Sequence, residues 1–109
     1  MHELAITESV VAAVAERVGP ARVLRVRLEI GRLSGVVPAS VRFCFDVCTR
    51  GTALAGARLE VVETPGRARC RGCGNDVELE TLVGLCACGG TDLELLEGQQ
   101  LKIREVEVV

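Results

Sequence analysis

The sequence predicts an α+β fold: two helices packed on a small, mainly antiparallel sheet, with a four-cysteine ribbon inserted ahead of the last strand. Three observations carry this. Apolar residues recur at helical spacing in two segments, and they alternate at strand spacing in three others. Between residues 66 and 98 both patterns give way to a glycine-rich stretch that holds four of the six cysteines. At 109 residues the chain has one domain's length. Its aromatics are only Phe43 and Phe45, so leucine and valine must supply most of the burial, and a staple would help so light a core.

Residues 4–18 place Leu4, Ile6, Val10, Val11, Val14 and Val18 largely on one helical face, and Gly19-Pro20 stops that helix. In residues 22–30, Val26, Leu28 and Ile30 alternate with Arg25, Arg27 and Glu29, as in a strand buried on one side and charged on the other. Gly31 to Gly35 turns the chain. Pro38-Ala39-Ser40 opens a second helix with a Val41, Cys44, Phe45, Cys48 stripe, which Gly51 is expected to end. Residues 58–63 form another strand, with Leu59 and Val61 on one face. After the cysteine segment, residues 99–109 resume strand patterning through Leu101 and Ile103, then Val106 and Val108. The phase slip at Arg104-Glu105 fits a bulge. The expected organisation is therefore one body of residues 1–65 plus 99–109 and an inserted domain of residues 66–98.

A formal charge of −2 argues against bulk attraction to nucleic acid or to an anionic membrane. Residues 1–20 carry Glu3, Glu8 and Glu16 and lack a basic leader, and no apolar run reaches the ~18 residues of a membrane span. The expected setting is the reducing cytoplasm, where paired cysteines are metal ligands or redox groups more often than disulfides.

Cys70-Arg71-Gly72-Cys73-Gly74 has the form of a zinc knuckle, and Cys86-Ala87-Cys88 offers a second thiol pair. Four thiolates with no competing histidine nearby favour a closed, tetrahedral and structural zinc site, so that the insert reads as a zinc-ribbon subdomain. A pair of reducible dithiols is the alternative. Cys44 and Cys48 can be read as spare ligands, though an apolar helical stripe favours packing. Within residues 66–98, three arginines face six acids and no aromatic is available to stack on a base, which disfavours a nucleic-acid module.

The sole histidine is His2, in Met1-His2-Glu3. The α-amine of Met1, the His2 amide and the His2 imidazole together can close two fused chelate rings on a metal that prefers planar nitrogen ligation, Ni(II) or Cu(II). A bulky second residue favours retention of Met1. The plainer reading is a disordered terminal histidine.

The opening Met1-His2-Glu3-Leu4, the strand and turn Leu28-Glu29-Ile30-Gly31, the helical Phe43-Cys44-Phe45-Asp46, Gly51-Thr52, the cysteine ribbon and the closing Leu101-Lys102-Ile103 together resemble the HypA/HybF family. The resemblance spans essentially the whole chain. It implies a nickel metallochaperone, not an enzyme, acting in [NiFe]-hydrogenase maturation. It further implies nickel held by His2 with the amine of Met1, Glu3 contributing through its backbone or by shaping the site, and structural zinc on Cys70, Cys73, Cys86 and Cys88. The implied partners are a nickel-associated GTPase of the same pathway and the hydrogenase large subunit. One departure stands out: family members typically carry C-x2-C in both knuckles, and this chain has C-x-C in the second.

Two other classes compete with that reading. One is a zinc-ribbon adaptor that binds protein without nickel transfer, and the other is a thiol redox protein using Cys70 and Cys73. An enzyme has the least support, because no nucleophile–base pair or open metal site can be assembled from these residues. A homodimer is compatible with an inserted ribbon, which can exchange between copies.

Overall fold

Helix α1 (Glu3–Val18) starts at Glu3, one residue ahead of the apolar pattern. The His2 carbonyl accepts the Ile6 N–H at 2.9 Å and so sets the first turn, while the His2 ring makes no capping bond. Gly19, at φ 60, ends the helix as expected, in a conformation that side-chain-bearing residues avoid. These features come from a computed structural model that describes residues 2–109. The buried face is not the stripe anticipated from Leu4. It runs through Glu3, Thr7, Val10, Val11 and Val14, and Leu4 is 51% exposed. Polar residues can hold the inner face because their groups are bonded: the Thr7 hydroxyl donates to the Glu3 carbonyl at 2.6 Å.

Strand β1 (Val23–Gly31) buries Val26, Leu28 and Ile30 as the alternation predicts. Helix α2 (Pro38–Cys48) has proline in its first turn and buries Val41 and Phe45. It ends before Gly51. Thr49 closes it, with both its N–H and its hydroxyl donating to the Phe45 carbonyl, at 3.1 and 2.8 Å. Gly51, at φ 74, lies in the turn beyond. Cys44 and Cys48 are only half-buried, at the margin of the stripe. Strand β2 (Arg58–Thr64) follows.

The next three strands were not anticipated. They are β3 (Gly66–Cys70), β4 (Asp76–Leu79) and β5 (Leu93–Glu97), and β6 (Leu101–Val108) closes the chain. Among the described residues two three-stranded sheets form, in the orders β2-β1-β6 and β4-β3-β5. The last strand thus joins the first strand's sheet, as expected of a chain with an insert.

The described residues divide into two compact units. One holds the chain up to Glu29 with Val36–Val62 and Lys102–Val109. Here α1 and α2 pack together. Its core is Val10, Val11, Val14, Val23, Val26, Leu28, Val41, Phe45, Leu54 and Leu59. Each such side chain stabilises the fold by about 1.5–3 kcal/mol when fully buried. On the outer face of β1, Arg25 reaches Glu60 (2.8 Å), Glu105 (2.8 Å) and Glu107 (3.1 Å). Glu29 on that same face pairs with Arg104 at 3.5 Å. Consecutive Arg104 and Glu105 thus both reach partners on the outer face of β1.

The other unit holds Ile30–Gly35 and Glu63–Leu101. In it β3 pairs antiparallel with both β4 and β5. Gly66, Ala68 and Cys70 point inward toward a small core of Leu33, Ala68 and Leu79, against which Val77 and Leu93 pack. Gly31 has to be glycine, because a Cβ there would lie 2.1 Å from the Gly98 carbonyl oxygen. No helix among the described residues is long and apolar enough to cross a membrane.

Candidate metal centres

The four thiols sit on two reverse turns. Cys70 ends β3, and Cys73 lies three residues on in a turn closed by the Gly74 N–H donating to the Cys70 carbonyl at 2.8 Å. In the second turn the Gly89 N–H donates to the Cys86 carbonyl, also at 2.8 Å. In both turns the glycine directly after the second cysteine bonds back to the first. Both glycines have positive φ, 81° at Gly74 and 89° at Gly89. The shorter C-x-C spacing thus closes by the same device with one residue fewer.

The turns bring Cys70 and Cys88 to 3.6 Å between sulfurs, and Cys73 and Cys86 to the same distance. All four sulfurs lie within 4.8 Å of one another. A tetrahedron with Zn–S bonds near 2.3 Å has edges of about 3.8 Å, so the spacing fits one tetrahedral ion, whereas a disulfide needs about 2.05 Å. Cys70 and Cys86 are buried; Cys73 and Cys88 are exposed.

Acid–base behaviour also favours a cation. The Cys70 thiol is drawn down to about 7, chiefly by the Cys73 backbone N–H and against the effect of burial. At Cys88 the Gly90 N–H, 3.4 Å from the sulfur, pulls the same way. The neighbouring Cys86, Cys70 and Cys73 sulfurs outweigh it and push Cys88 up to about 12. Four thiolates at this spacing do not all ionise unless a positive ion sits among them. The donor set is closed, soft and sulfur-only, which suits a structural Zn²⁺.

Gly90 escaped the sequence reading. A Cβ on it would lie 3.0 Å from the Cys70 sulfur and 3.3 Å from that of Cys88, so a side chain there would crowd both sulfurs. The Gly89-Gly90 doublet was the available signal. Outside the sulfurs, Arg67 pairs with Asp76 and Glu97, Arg69 with Asp76, and Arg71 with Asp92. The three arginines of this segment are thus engaged with its own acids, which weakens any case for phosphate binding.

At the other end of the chain, His2 is exposed and stands at the start of α1. Met1, the expected source of the amine ligand, lies outside the described residues. Glu3 is 7% exposed, and its carboxylate accepts the Val37 N–H at 3.2 Å. Val37 is the residue that caps α2, so the carboxylate sits where that helix presents its unpaired amides. The residue beside His2 is thereby tied to both helices. Sequence reasoning expected Glu3 to contribute through its backbone or by shaping the site, and it did not find this contact, which joins residues 34 positions apart. A cleft of about 420 Å³ opens beside it, lined by Glu3, Leu4, Ala39, Ser40, Phe43 and Cys44.

Comparison with known proteins agrees with this architecture. The family described as "Hydrogenase/urease nickel incorporation, metallochaperone, hypA" matches residues 1–108. The hydrogenase maturation factor HypA of Nostoc punctiforme is 51% identical over 108 residues, covering 99% of this chain and 96% of that protein. Its counterpart in Geobacter metallireducens is 46% identical over 109 residues, with 99% of each chain covered. In fold the chain is similar to the solution structure of the nickel metallochaperone HypA from Helicobacter pylori, with a TM-score of 0.67 at 19% identity over 100% of this chain and 98% of that one. The chain belongs to the HypA family of nickel-incorporation metallochaperones in hydrogenase maturation.

Proposed function

We propose that this protein binds Ni(II) at its amino terminus and delivers it during [NiFe]-hydrogenase maturation. The nickel ligands are the His2 imidazole, the His2 amide and the Met1 amine, with Glu3 contributing its backbone and anchoring the segment. Cys70, Cys73, Cys86 and Cys88 hold a structural zinc. Residues 1–65 plus 99–109 form the nickel-binding body and residues 66–98 the zinc domain. The receiving partners are a nickel-associated GTPase of the pathway and the hydrogenase large subunit, met in the cytoplasm. The protein carries metal and performs no catalysis of its own.

The observation that carries this reading is the placement of the only histidine. It stands exposed at the first turn of α1, beside a glutamate tied to the start of α2. A planar nitrogen chelate on an exposed terminus suits release, because an acceptor's ligands can replace its own one at a time. The sulfur cluster is the opposite kind of site, closed and internally satisfied. The test is calorimetric nickel titration of the untagged, zinc-loaded protein beside a version with one glycine added before Met1. Binding that requires the native terminus supports the chelate. Equal binding by both would place nickel elsewhere, and no binding by either would favour the zinc-ribbon adaptor.

A further inference from the structure

The loop between β4 and the second cysteine turn, residues 80–85, exposes Leu82 by 62%, Val83 by 87% and Leu85 by 63%. Single exposed leucines are ordinary on a protein surface. Three large apolar side chains within four consecutive positions are not. Three residue steps span at most about 11 Å, so the chain itself gathers them into one patch.

The loop is held in this pose at both ends. A Cβ on Gly84 would overlap the Leu79 side chain and stand 3.5 Å from Leu93, so at that residue the backbone itself lies on the small core of the unit. The neighbours on either side are turned away from that core. Upstream, the Thr81 hydroxyl donates to the Val83 carbonyl at 2.8 Å. Downstream, the buried Cys86 belongs to the sulfur cluster, and its N–H donates to the Gly90 carbonyl at 2.9 Å. Packing fixes one side of the patch and the metal centre fixes the other.

The charge around the loop selects what fits it. The unit that carries it, Ile30–Gly35 with Glu63–Leu101, sets four arginines against seven carboxylates, a net charge of −3. Four thiolates around a Zn²⁺ add a further −2. Arg67, Arg69 and Arg71 are engaged with Asp76, Glu97 and Asp92. Glu78, Glu80 and Glu94 have no ion-pair partner among the described residues, and Glu80 stands two residues before Leu82. Such a field repels an anionic bilayer and a second copy of the same unit alike, and attracts a cationic surface.

We propose that Leu82, Val83 and Leu85 dock into an apolar pocket rimmed by lysine or arginine on a protein that receives the metal. Only the identity of that partner rests on the proposed function; the nickel ligands take no part in the contact. The zinc centre then has a task besides stability, which is to pose the docking loop.

The test is calorimetric binding of the full-length, zinc-loaded protein to the purified GTPase and to the purified hydrogenase large subunit. The double variant Leu82→Ser, Leu85→Ser should weaken binding to at least one of them by roughly tenfold or more, with zinc content and nickel titration unchanged. Val83→Ser, a smaller change at the most exposed position, should weaken it in the same direction and keeps the question answerable if the double variant loses zinc. Glu80→Lys should weaken it as well and reduce its sensitivity to salt. Zinc-loaded variants that bind both proteins as the wild type does overturn the docking surface and leave the nickel reading standing. A wild type that binds neither overturns the partner assignment, and this inference with it. An unchanged affinity and salt dependence in Glu80→Lys overturns the cationic rim. If Val83→Ser instead loses binding to phosphatidylglycerol vesicles, or loses self-association, while partner binding is untouched, the patch belongs to a membrane or to a second copy and the proposal fails.

Discussion

The cysteine cluster and the amino-terminal end both offer metal ligands, yet the chain prepares them in opposite ways. Around the sulfurs, two glycine-closed turns, the β3 strand and the room left by Gly90 place all four donor atoms within 4.8 Å of one another. Around His2, the chain places only the neighbours: the first turn of α1 is set by the His2 carbonyl, and Glu3 is bound to the Val37 N–H, while the ring stays exposed. A preformed closed shell binds a metal as part of folding. An exposed donor on a braced segment binds a metal that another protein can remove. On the proposed function, the difference separates a metal the fold depends on from a metal the fold only presents.

The strongest way to break that contrast is to open the cluster. Cys73→Ser should lose zinc outright and unfold the unit built on β3, β4 and β5, since a structural zinc contributes on the order of 10 kcal/mol. Zinc analysis with circular dichroism reads both effects, and an unchanged zinc content would favour the dithiol alternative. His2→Ala is the reciprocal change. It should abolish nickel binding and leave zinc content and Tm as they were; retained micromolar nickel affinity would remove His2 from the site.

Gly90→Ala sharpens the comparison within the cluster. The added methyl presses on the Cys70 and Cys88 sulfurs and should lower zinc affinity by about tenfold, measured by competition with a chelator. A smaller effect is expected from pH. Nickel affinity should fall steadily from about pH 7.5 to 6, because the amine, amide and imidazole all compete with protons, while zinc stays bound over that range. The smallest effect lies on the outer face of β1. Arg25 first, with Arg27 assisting, holds the Glu60 carboxyl below the ordinary carboxylate range. With the folded value depressed, this pair's stabilisation is present above the unfolded carboxylate value and is lost as pH falls through the folded one. Glu60→Gln should therefore lower stability slightly at neutral pH and change it little at the acid end, so that the acid limb of the stability curve flattens.

Much of the fold was legible because burial follows period. Val26, Leu28 and Ile30 are buried as the alternation in β1 says, and Val41 and Phe45 as the stripe in α2 says. The strands of the cysteine segment were not legible. The inward residues of β3 are Gly66, Ala68 and Cys70, too small and too mild in hydropathy to register as an apolar face. Leu4 was misplaced for the opposite reason. Its hydropathy suggested burial, but bonded Glu3 and Thr7 occupy the inner face.

What the sequence determined by itself was which donor atoms lie close together along the chain. Two cysteines within a short turn, or a histidine beside the terminal amine, are held together by the backbone over one to three residues, whatever the rest of the chain does. What only the tertiary structure decided was which distant groups meet. Cys70 faces Cys88 while Cys73 faces Cys86, the Glu3 carboxylate reaches Val37, and Arg25 meets Glu105 while Glu29 meets Arg104. Those meetings follow from sheet register and helix packing, which sum weak preferences over the whole chain, and no local run of residues contains that sum.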